Sequence, residues 1–250
     1  MMFFWGKSKK EPPSNYDGKI EIFSRQCFFS TISQHKKRFP FFSHELCYKN
    51  LIHTVDLSLA NLTFFYDAAR GPLEKHFLKN EKRFPIVEIK EGNEALSFLR
   101  LLDYVTSLDL HPETILYFVE DDYLHRPGWT KVLKEAFSID GIDYATLYDH
   151  RDKYSALYKT SSFKLFTTQS THWRETPSTT HTFACRLKTL TQDLRFHRRF
   201  SLAREVSDDH KKFSYLKKRG SLLISSLPGW STHAEPELSS PCIDWEQFKS

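Results

Sequence analysis

The chain has 250 residues, of which 40% are hydrophobic and 27% are charged, and its formal net charge is +5. These values are typical of a globular protein, and they exclude a disordered chain and the concentrated basicity of a dedicated nucleic-acid-binding protein. No stretch approaches the ~20 apolar residues of a membrane-spanning helix, and the four cysteines form no CxxC pair. We therefore expect a soluble, cytoplasmic protein with free thiols, for which a peripheral membrane role stays open.

Composition divides the chain into three parts. Residues 1–18 are rich in Lys, Pro and Ser, which predicts a flexible leader. Residues 19–235 alternate strand and helix patterns, which predicts a single α/β domain with a central, mostly parallel (mixed) sheet flanked by helices. Residues 236–250 are expected to be a C-terminal tail. Basic clusters at 7–10, 35–38, 195–199 and 211–219 are expected to be solvated helix faces rather than a groove for nucleic acid.

The first half of the domain, residues 19–125, alternates short apolar runs with amphipathic stretches. Gly92-Asn93 forms a turn before a segment whose apolar residues recur at helical spacing. The predicted elements, in order, are a strand at Lys19–Phe23, a helix followed by a loop over 28–50, strands at Asn61–Tyr66 and Pro85–Lys90, a helix at Glu94–Ser107 and a strand at Ile115–Val119.

The second half, residues 126–235, is more mixed. Its segment Gln169–Thr179 is rich in Ser, Thr and Pro, which predicts a loop long enough to close over a ligand as a lid. The predicted elements are helices at Thr130–Phe137, Leu187–Arg204 and Ser207–Lys218, and strands at Asp143–Tyr148, Phe163–Thr168, Thr180–Arg186 and Leu222–Ser225.

The most informative motif is the acidic triplet Glu120-Asp121-Asp122, which directly follows the apolar run Ile115–Val119. Open α/β sheets bind ligands at the carboxyl ends of their strands. Three adjacent carboxylates repel one another there unless a cation or a basic partner is present. Hard divalent metals take oxygen ligands and often bridge to substrate phosphates, so the triplet predicts a metal–diphosphate site. The alternative is an acidic loop that caps the following helix.

The order strand, Gly-Asn turn, helix, strand and Glu-Asp-Asp resembles the GT-A nucleotide-sugar glycosyltransferases of the family 2 type, over residues 19–235. In that family the triplet is a variant of the DxD motif that holds Mn²⁺ or Mg²⁺ and the donor diphosphate. The resemblance implies that Asp122 is the direct metal ligand, with Asp121 and Glu120 near the ribose and the metal's water shell. It also makes residues 19–125 the nucleotide-binding half and residues 126–235 the acceptor half.

Two further motifs match positions of the same family. A C-terminal histidine often returns to the metal, which implies His233, and imidazole suits Mn²⁺ better than Mg²⁺. An acidic pair opens a helix near the acceptor, which implies Asp209, or its neighbour Asp208, as general base. The alternatives are a surface histidine in a Pro/Gly loop and ordinary capping of a helix by Ser and Asp.

Polar residues after other predicted strands would bind the nucleotide. In the GT-A pattern, Arg25, Asp67 and Asn93 occupy positions that meet the base, the ribose and the phosphates, and Arg100 lies two turns along the following helix. Trp173 and Trp230 could line the acceptor site, since aromatic faces pack against sugar rings, or could belong to the core.

The resemblance implies a hexosyltransferase-type enzyme that moves a sugar from a nucleotide diphosphate, a UDP-sugar by prior, to a hydroxyl of a glycan or lipid-linked acceptor, with inversion. A nucleotidyltransferase is the nearest competing enzyme, but the Gly-rich phosphate loop usual after its first strand is absent near Arg25. A non-catalytic nucleotide- or carbohydrate-binding module is the third possibility. Metalloprotease, zinc-finger, P-loop and nucleophile-elbow motifs are absent from the sequence.

Overall fold

The computed structural model describes residues 16–30, 33–158 and 162–249. Most of the predicted leader therefore lies outside the described residues. The helices are α1 (His44–Thr54), α2 (Glu94–Ser107), α3 (Trp129–Ala136), α4 (Leu187–Arg199) and α5 (Asp209–Lys218). The strands are β1 (Ile20–Cys27), β2 (Ala60–Asp67), β3 (Ile86–Ile89), β4 (Ile115–Val119), β5 (Tyr123–His125), β6 (Tyr144–Thr146), β7 (Leu165–Thr167), β8 (His172–Glu175), β9 (Phe183–Arg186), β10 (Leu223–Leu227) and β11 (Ser231–His233).

Nine of these strands form one mixed sheet in the order β3-β2-β1-β4-β9-β6-β10-β8-β7. The strands β3, β2, β1 and β4 are parallel, as are β6 and β10. Because β9 is antiparallel to both its neighbours, and β8 to both of its own, seven of the nine strands point the same way. The prediction of a single α/β domain with a mixed, mostly parallel sheet flanked by helices is confirmed, and the arrangement is consistent with a GT-A-like architecture.

The central strand β4 is buried on both faces, because helices cover each side of the sheet. Ile115, Tyr117 and Val119 pack in one apolar cluster with residues of α1 and α3. Leu116 and Phe118 pack in a second cluster with residues of α2, α4 and α5. This alternation explains why the strand is a continuous apolar run rather than an alternating one.

The first strand is longer than its apolar residues indicate. It was predicted to end at Phe23, but β1 continues through Ser24, Arg25 and Gln26 to Cys27 in parallel register with β2. These polar residues are buried, and the backbone pairing satisfies their amide and carbonyl groups. The extension carries Arg25 to the carboxyl edge of the sheet.

The predicted loop and lid at Gln169–Thr179 are wrong. The segment contains β8, which pairs with β7 on one side and β10 on the other. Trp173 of this strand is fully buried, and its indole Nε1 donates a hydrogen bond to Thr168 Oγ1 at 3.1 Å. The segment is thus fixed within the sheet and is not a free lid.

A second sheet of two short strands, β5 and β11, has no counterpart among the predicted elements. Its antiparallel register places Tyr123 opposite His233, so the chain returns from its C-terminal region to the residues just after the acidic triplet. Residues 236–249 also pack back on the domain, where Trp245 is buried in a cluster with Cys47 and Leu124. None of the helices within the described residues is long and apolar enough to cross a bilayer.

Candidate functional site

The carboxyl ends of β1, β2 and β4 border a cleft of about 360 Å³. Carboxyl ends of parallel strands meet at one edge of a sheet, which is where α/β folds bind ligands. The volume lies in the range of small-molecule pockets. The charged residues that line the cleft are mostly acidic. The acidic ones are Asp67, Glu91, Glu94, Glu120, Asp121, Asp122, Glu205 and Asp209, and the basic ones are Arg25, Lys36 and Arg70. Asn93 also lines the cleft.

Each carboxylate of the acidic triplet meets a different basic side chain. Glu120 lies 3.3 Å from Arg25 Nη2, and burial raises the pKa of this carboxyl to about 7 although Arg25 lowers it. Asp121 lies 3.5 Å from Nδ1 of His44, whose pKa it raises to about 9. The mutual repulsion expected of the triplet is therefore relieved by separate partners.

Asp122 and His233 form the most enclosed ion pair of the cleft. His233 Nε2 lies 2.9 Å from Asp122 Oδ2, and Arg38 Nη2 lies 2.8 Å from the same oxygen. Burial opposes ionisation of Asp122, but His233 and Arg38 together hold its pKa well below the usual range. Burial likewise opposes charge on His233, whose pKa Asp122 and Glu235 raise to about 9.

This pair could hold a divalent metal if the metal replaced the proton that His233 shares with Asp122, because a metal-binding imidazole is neutral. Asp122 Oδ1 is buried and has no hydrogen-bond partner within the described residues, so one carboxylate oxygen stays available as a ligand. The other ring nitrogen of His233, Nδ1, lies 3.1 Å from Glu235 Oε1. A carboxylate behind a metal-binding histidine fixes its orientation and tautomer. Sequence reasoning missed Glu235, although its position two residues after His233 was a usable signal.

The base predicted from the sequence, Asp209, is part of a buried chain of charged groups. His181 Nε2 lies 2.8 Å from Asp209 Oδ1, and Lys212 Nζ lies 2.7 Å from the same oxygen. His181 Nδ1 is 2.5 Å from Glu94 Oε1, which also accepts a hydrogen bond from Arg25. Burial opposes ionisation of Asp209, but His181 and Lys212 outweigh it and lower the pKa of this carboxyl below its usual value. The carboxylate is therefore ionised at neutral pH.

Sequence reasoning assigned no role to His181, which lies two residues before β9 and which no motif marks. Its side chain is 1% exposed and its ring stacks on Phe98 at 3.8 Å between centroids. Glu94, His181 and Glu120 also present ligand atoms close enough together for a metal ion. The guanidinium of Arg25 contacts all three side chains, so a cation already occupies this position.

Asp67 holds the turn that leads into α2. Its Oδ1 accepts hydrogen bonds from the backbone N–H groups of Ala69 and Glu91, and its Oδ2 accepts one from Gly92. Gly92 has a φ of +79°, a conformation that strongly favours glycine. Asn93 caps α2 by accepting a hydrogen bond from Leu96 N. Both predicted nucleotide-binding residues therefore line the cleft and also build its rim.

Four predicted site residues lie elsewhere. Arg100 is exposed on α2 and pairs with Glu91 at 2.8 Å. Asp208 caps α5 through the backbone N–H of Lys211. Trp173 is in the core, which does not fit an acceptor role, and Trp230 packs under Arg126 at 4.1 Å without lining the cleft.

The chain matches no known protein family profile, and it matches no curated protein sequence. Among solved structures, it is similar to a 4-diphosphocytidyl-2C-methyl-D-erythritol synthase from Anaerococcus prevotii, with 10% identity and a TM-score of 0.45 over 84% of this chain and 88% of that one. It is also similar to a CMP:2-keto-3-deoxy-manno-octonic acid synthetase complexed with CTP, with 12% identity and a TM-score of 0.49 over 87% of this chain and 94% of that one.

Proposed function

We propose that the protein is a metal-dependent transferase of nucleotide substrates, and that it moves a sugar from a nucleotide diphosphate to a hydroxyl group. The observation that carries the proposal is the 2.9 Å contact between His233 Nε2 and Asp122 Oδ2. It joins the end of the central strand to a segment 111 residues further along the chain. Mixed nitrogen and oxygen ligands of this kind suit Mn²⁺.

In this proposal Asp122 and His233 hold the divalent cation, and Glu235 orients His233. The bound cation would neutralise the charge that develops on the diphosphate as the sugar bond breaks. Asp67 and Asn93 build the rim that faces the nucleoside, and a UDP-sugar is the proposed donor. The acidic lining of the cleft supports this assignment, because a diphosphate would be repelled there without a cation.

Asp209 would act as the general base. His181 and Lys212 hold its Oδ1, while Oδ2 has no hydrogen-bond partner among residues 16–30, 33–158 and 162–249. The acceptor hydroxyl would transfer its proton to Asp209 as its oxygen bonds to the anomeric carbon. The bond from that carbon to the diphosphate oxygen breaks in the same step, and the nucleoside diphosphate leaves. A single displacement of this kind inverts the anomeric centre. The acceptor is proposed to be a glycan or a lipid-linked glycan.

Nucleotidyl transfer is the second candidate. It would use the same cation and cleft on a nucleoside triphosphate, and it would release diphosphate instead of a nucleoside diphosphate. One of the two similar solved structures is named a synthase, and the other is named a synthetase complexed with CTP. The segment between β1 and α1, residues 28–43, contains no glycine. This favours sugar transfer, since nucleotidyltransferases usually place a Gly-rich phosphate loop there.

The first test is a thermal-shift screen of UDP, GDP, CDP and dTDP, together with UTP and CTP, with and without Mn²⁺. Wild-type protein is compared with Asp122→Asn and with the exposed control Asp140→Asn. We expect one diphosphate to stabilise the wild type and the control only with Mn²⁺, and to leave Asp122→Asn unchanged.

A product assay then separates the two transfers. Release of a nucleoside diphosphate from the matching nucleotide-sugar, with water or a glycan as acceptor, supports sugar transfer. Release of diphosphate from a triphosphate supports nucleotidyl transfer. Binding of every nucleotide without metal would contradict both enzymatic proposals and favour a binding module. Binding of no nucleotide under any condition would contradict all three.

A further inference from the structure

The basic residues 35–38 lie between β1 and α1 in the sequence, and Lys36 lines the cleft. The cluster at residues 35–38 was predicted to be a solvated face, but only part of it is. Lys37 is exposed and pairs with Glu237 on the surface. Lys36 turns inward to Glu235, and Arg38 turns inward to Asp122. Neighbouring residues of one segment thus have opposite environments.

Arg38 forms an ion pair with Asp122, the carboxylate that we propose as a metal ligand. Its Nη2 lies 2.8 Å from Asp122 Oδ2, the same oxygen that His233 contacts. The guanidinium packs over the ring of Phe42 at 4.6 Å, and its side chain is 13% exposed. The arginine is therefore held at the site by packing as well as by charge.

Two polar atoms beside this contact lack a hydrogen bond, although one of them, Arg38 Nη1, lies 4.0 Å from Glu235 Oε1. Arg38 Nη1 and Asp122 Oδ1 are both buried, and neither forms a hydrogen bond within the described ranges 16–30, 33–158 and 162–249. Buried groups of this kind are normally satisfied, because an unmade hydrogen bond costs free energy. One atom is a donor and the other is an acceptor, so a ligand satisfies both if it offers an acceptor to Arg38 and either a donor or a cation to Asp122. A divalent cation bound to a diphosphate has this composition.

We propose that Arg38 neutralises Asp122 when no metal is bound and binds the diphosphate of the nucleotide when the metal arrives. The proposal rests on the function proposed above and adds a residue for which the sequence motifs assign no role. Its physical basis is that a guanidinium and a divalent cation repel each other at one carboxylate in a site of low exposure. A guanidinium also forms strong, charge-assisted hydrogen bonds to phosphate oxygens.

The test measures binding by calorimetry with two probes, Mn²⁺ alone and UDP in saturating Mn²⁺. The variant is Arg38→Gln, and the matched control is Lys37→Gln, which removes the same charge from the adjacent, 83% exposed side chain. Circular dichroism establishes that each variant is folded. We expect Arg38→Gln to bind Mn²⁺ alone about tenfold more tightly and to bind UDP about tenfold more weakly, and Lys37→Gln to match the wild type in both.

Opposite signs for the two probes are the signature of the proposal. Unchanged Mn²⁺ affinity in Arg38→Gln, or unchanged UDP affinity in saturating Mn²⁺, would overturn it while leaving the proposed transferase intact. If no nucleoside diphosphate binds the wild type, the proposed function fails together with the diphosphate role of Arg38. Tighter Mn²⁺ binding by Arg38→Gln would then support the competition at Asp122 alone.

Discussion

His181 Nε2 lies 2.8 Å from Asp209 Oδ1, deep in the cleft wall. The imidazole is held on its other side by Glu94, and burial opposes its charge while Asp209 and Glu94 raise its pKa. The pKa of Asp209 is thereby lowered, and its carboxylate is held by an imidazole that has almost no exposure to solvent. The base of the proposed reaction thus depends on a residue that touches no substrate group directly.

Asp209→Asn should lower sugar transfer by about a hundredfold or more, because the amide cannot accept the acceptor proton. Donor affinity should change little, since the metal site is intact. The measurement is UDP release from UDP-sugars alongside calorimetric UDP binding. Asp208→Asn is the matched control: its amide oxygen can still accept the hydrogen bond from Lys211 N, so the variant should keep both the helix cap and sugar transfer. Near-normal turnover in Asp209→Asn would remove this residue from the mechanism.

His181→Gln should lower kcat with little change in the donor KM, because Asp209 loses an oriented cationic neighbour. The acidic limb of the kcat profile should also move to higher pH, since the cation that lowers the pKa of Asp209 is gone. A purely structural role would alter the melting temperature and leave the profile in place. A profile that matches the wild type would argue against positioning by His181.

Glu235→Gln should weaken Mn²⁺ binding by about 10- to 100-fold, as expected for loss of the carboxylate behind a metal-binding histidine. The geometry that motivates it is the 3.1 Å contact between Glu235 Oε1 and His233 Nδ1. Binding is measured by calorimetry or by the paramagnetic signal of free Mn²⁺. Glu237→Gln, two residues away and 73% exposed, is the control that should leave the affinity unchanged.

Asp67→Asn should destabilise the protein by about 1–3 kcal/mol, because an amide cannot accept all three backbone hydrogen bonds that both carboxylate oxygens now accept. Urea unfolding at neutral pH measures the free energy change. The same turn forms the rim of the cleft, so nucleotide affinity should fall as well. Asp140→Asn, at an exposed position, is the control. Equal stability of the two variants would show that the hydrogen bonds of Asp67 to the turn do not stabilise the fold.

The contribution of His76 to stability should fall as the pH falls from about 6.5 towards 4. Burial lowers the pKa of His76 to about 4, so its neutral form is favoured in the folded state while the unfolded chain binds the proton first. The contribution of His76 is fully present above pH 6.5 and declines below it by at most about 1.4 kcal/mol per pH unit.

His76→Asn isolates this effect, because the amide oxygen can replace Nδ1 as acceptor for Leu78 N and does not titrate. Urea unfolding at pH 7 and pH 5 should show a smaller loss of stability in His76→Asn than in wild type. Exposed His53→Asn should keep the wild-type pH dependence. Identical slopes for His76→Asn and wild type would show that His76 titrates normally in the folded protein.

The sequence alone determined the α/β class, the central strand and the position of the acidic triplet. These are local properties: β4 is covered on both faces, so its apolar residues are continuous, and α2 has helical spacing with Asn93 as its cap. Short elements with weak patterns, such as β5, β8 and β11, were missed. Pairing with distant strands, rather than intrinsic preference, stabilises them.

Which charged residues share the cleft depends on how distant parts of the chain pack together. Asp208 and Asp209 are neighbours in sequence at the start of α5. Asp208 pairs with the exposed Lys211, whereas Asp209 pairs with the buried His181. Lys37 and Arg38 are also neighbours with different environments: Lys37 pairs with Glu237 on the surface, and Arg38 pairs with Asp122 in the cleft wall. Charge partners far apart in the chain meet only after the sheet has formed, so no local pattern could have paired Arg38 with Asp122 or Glu94 with His181.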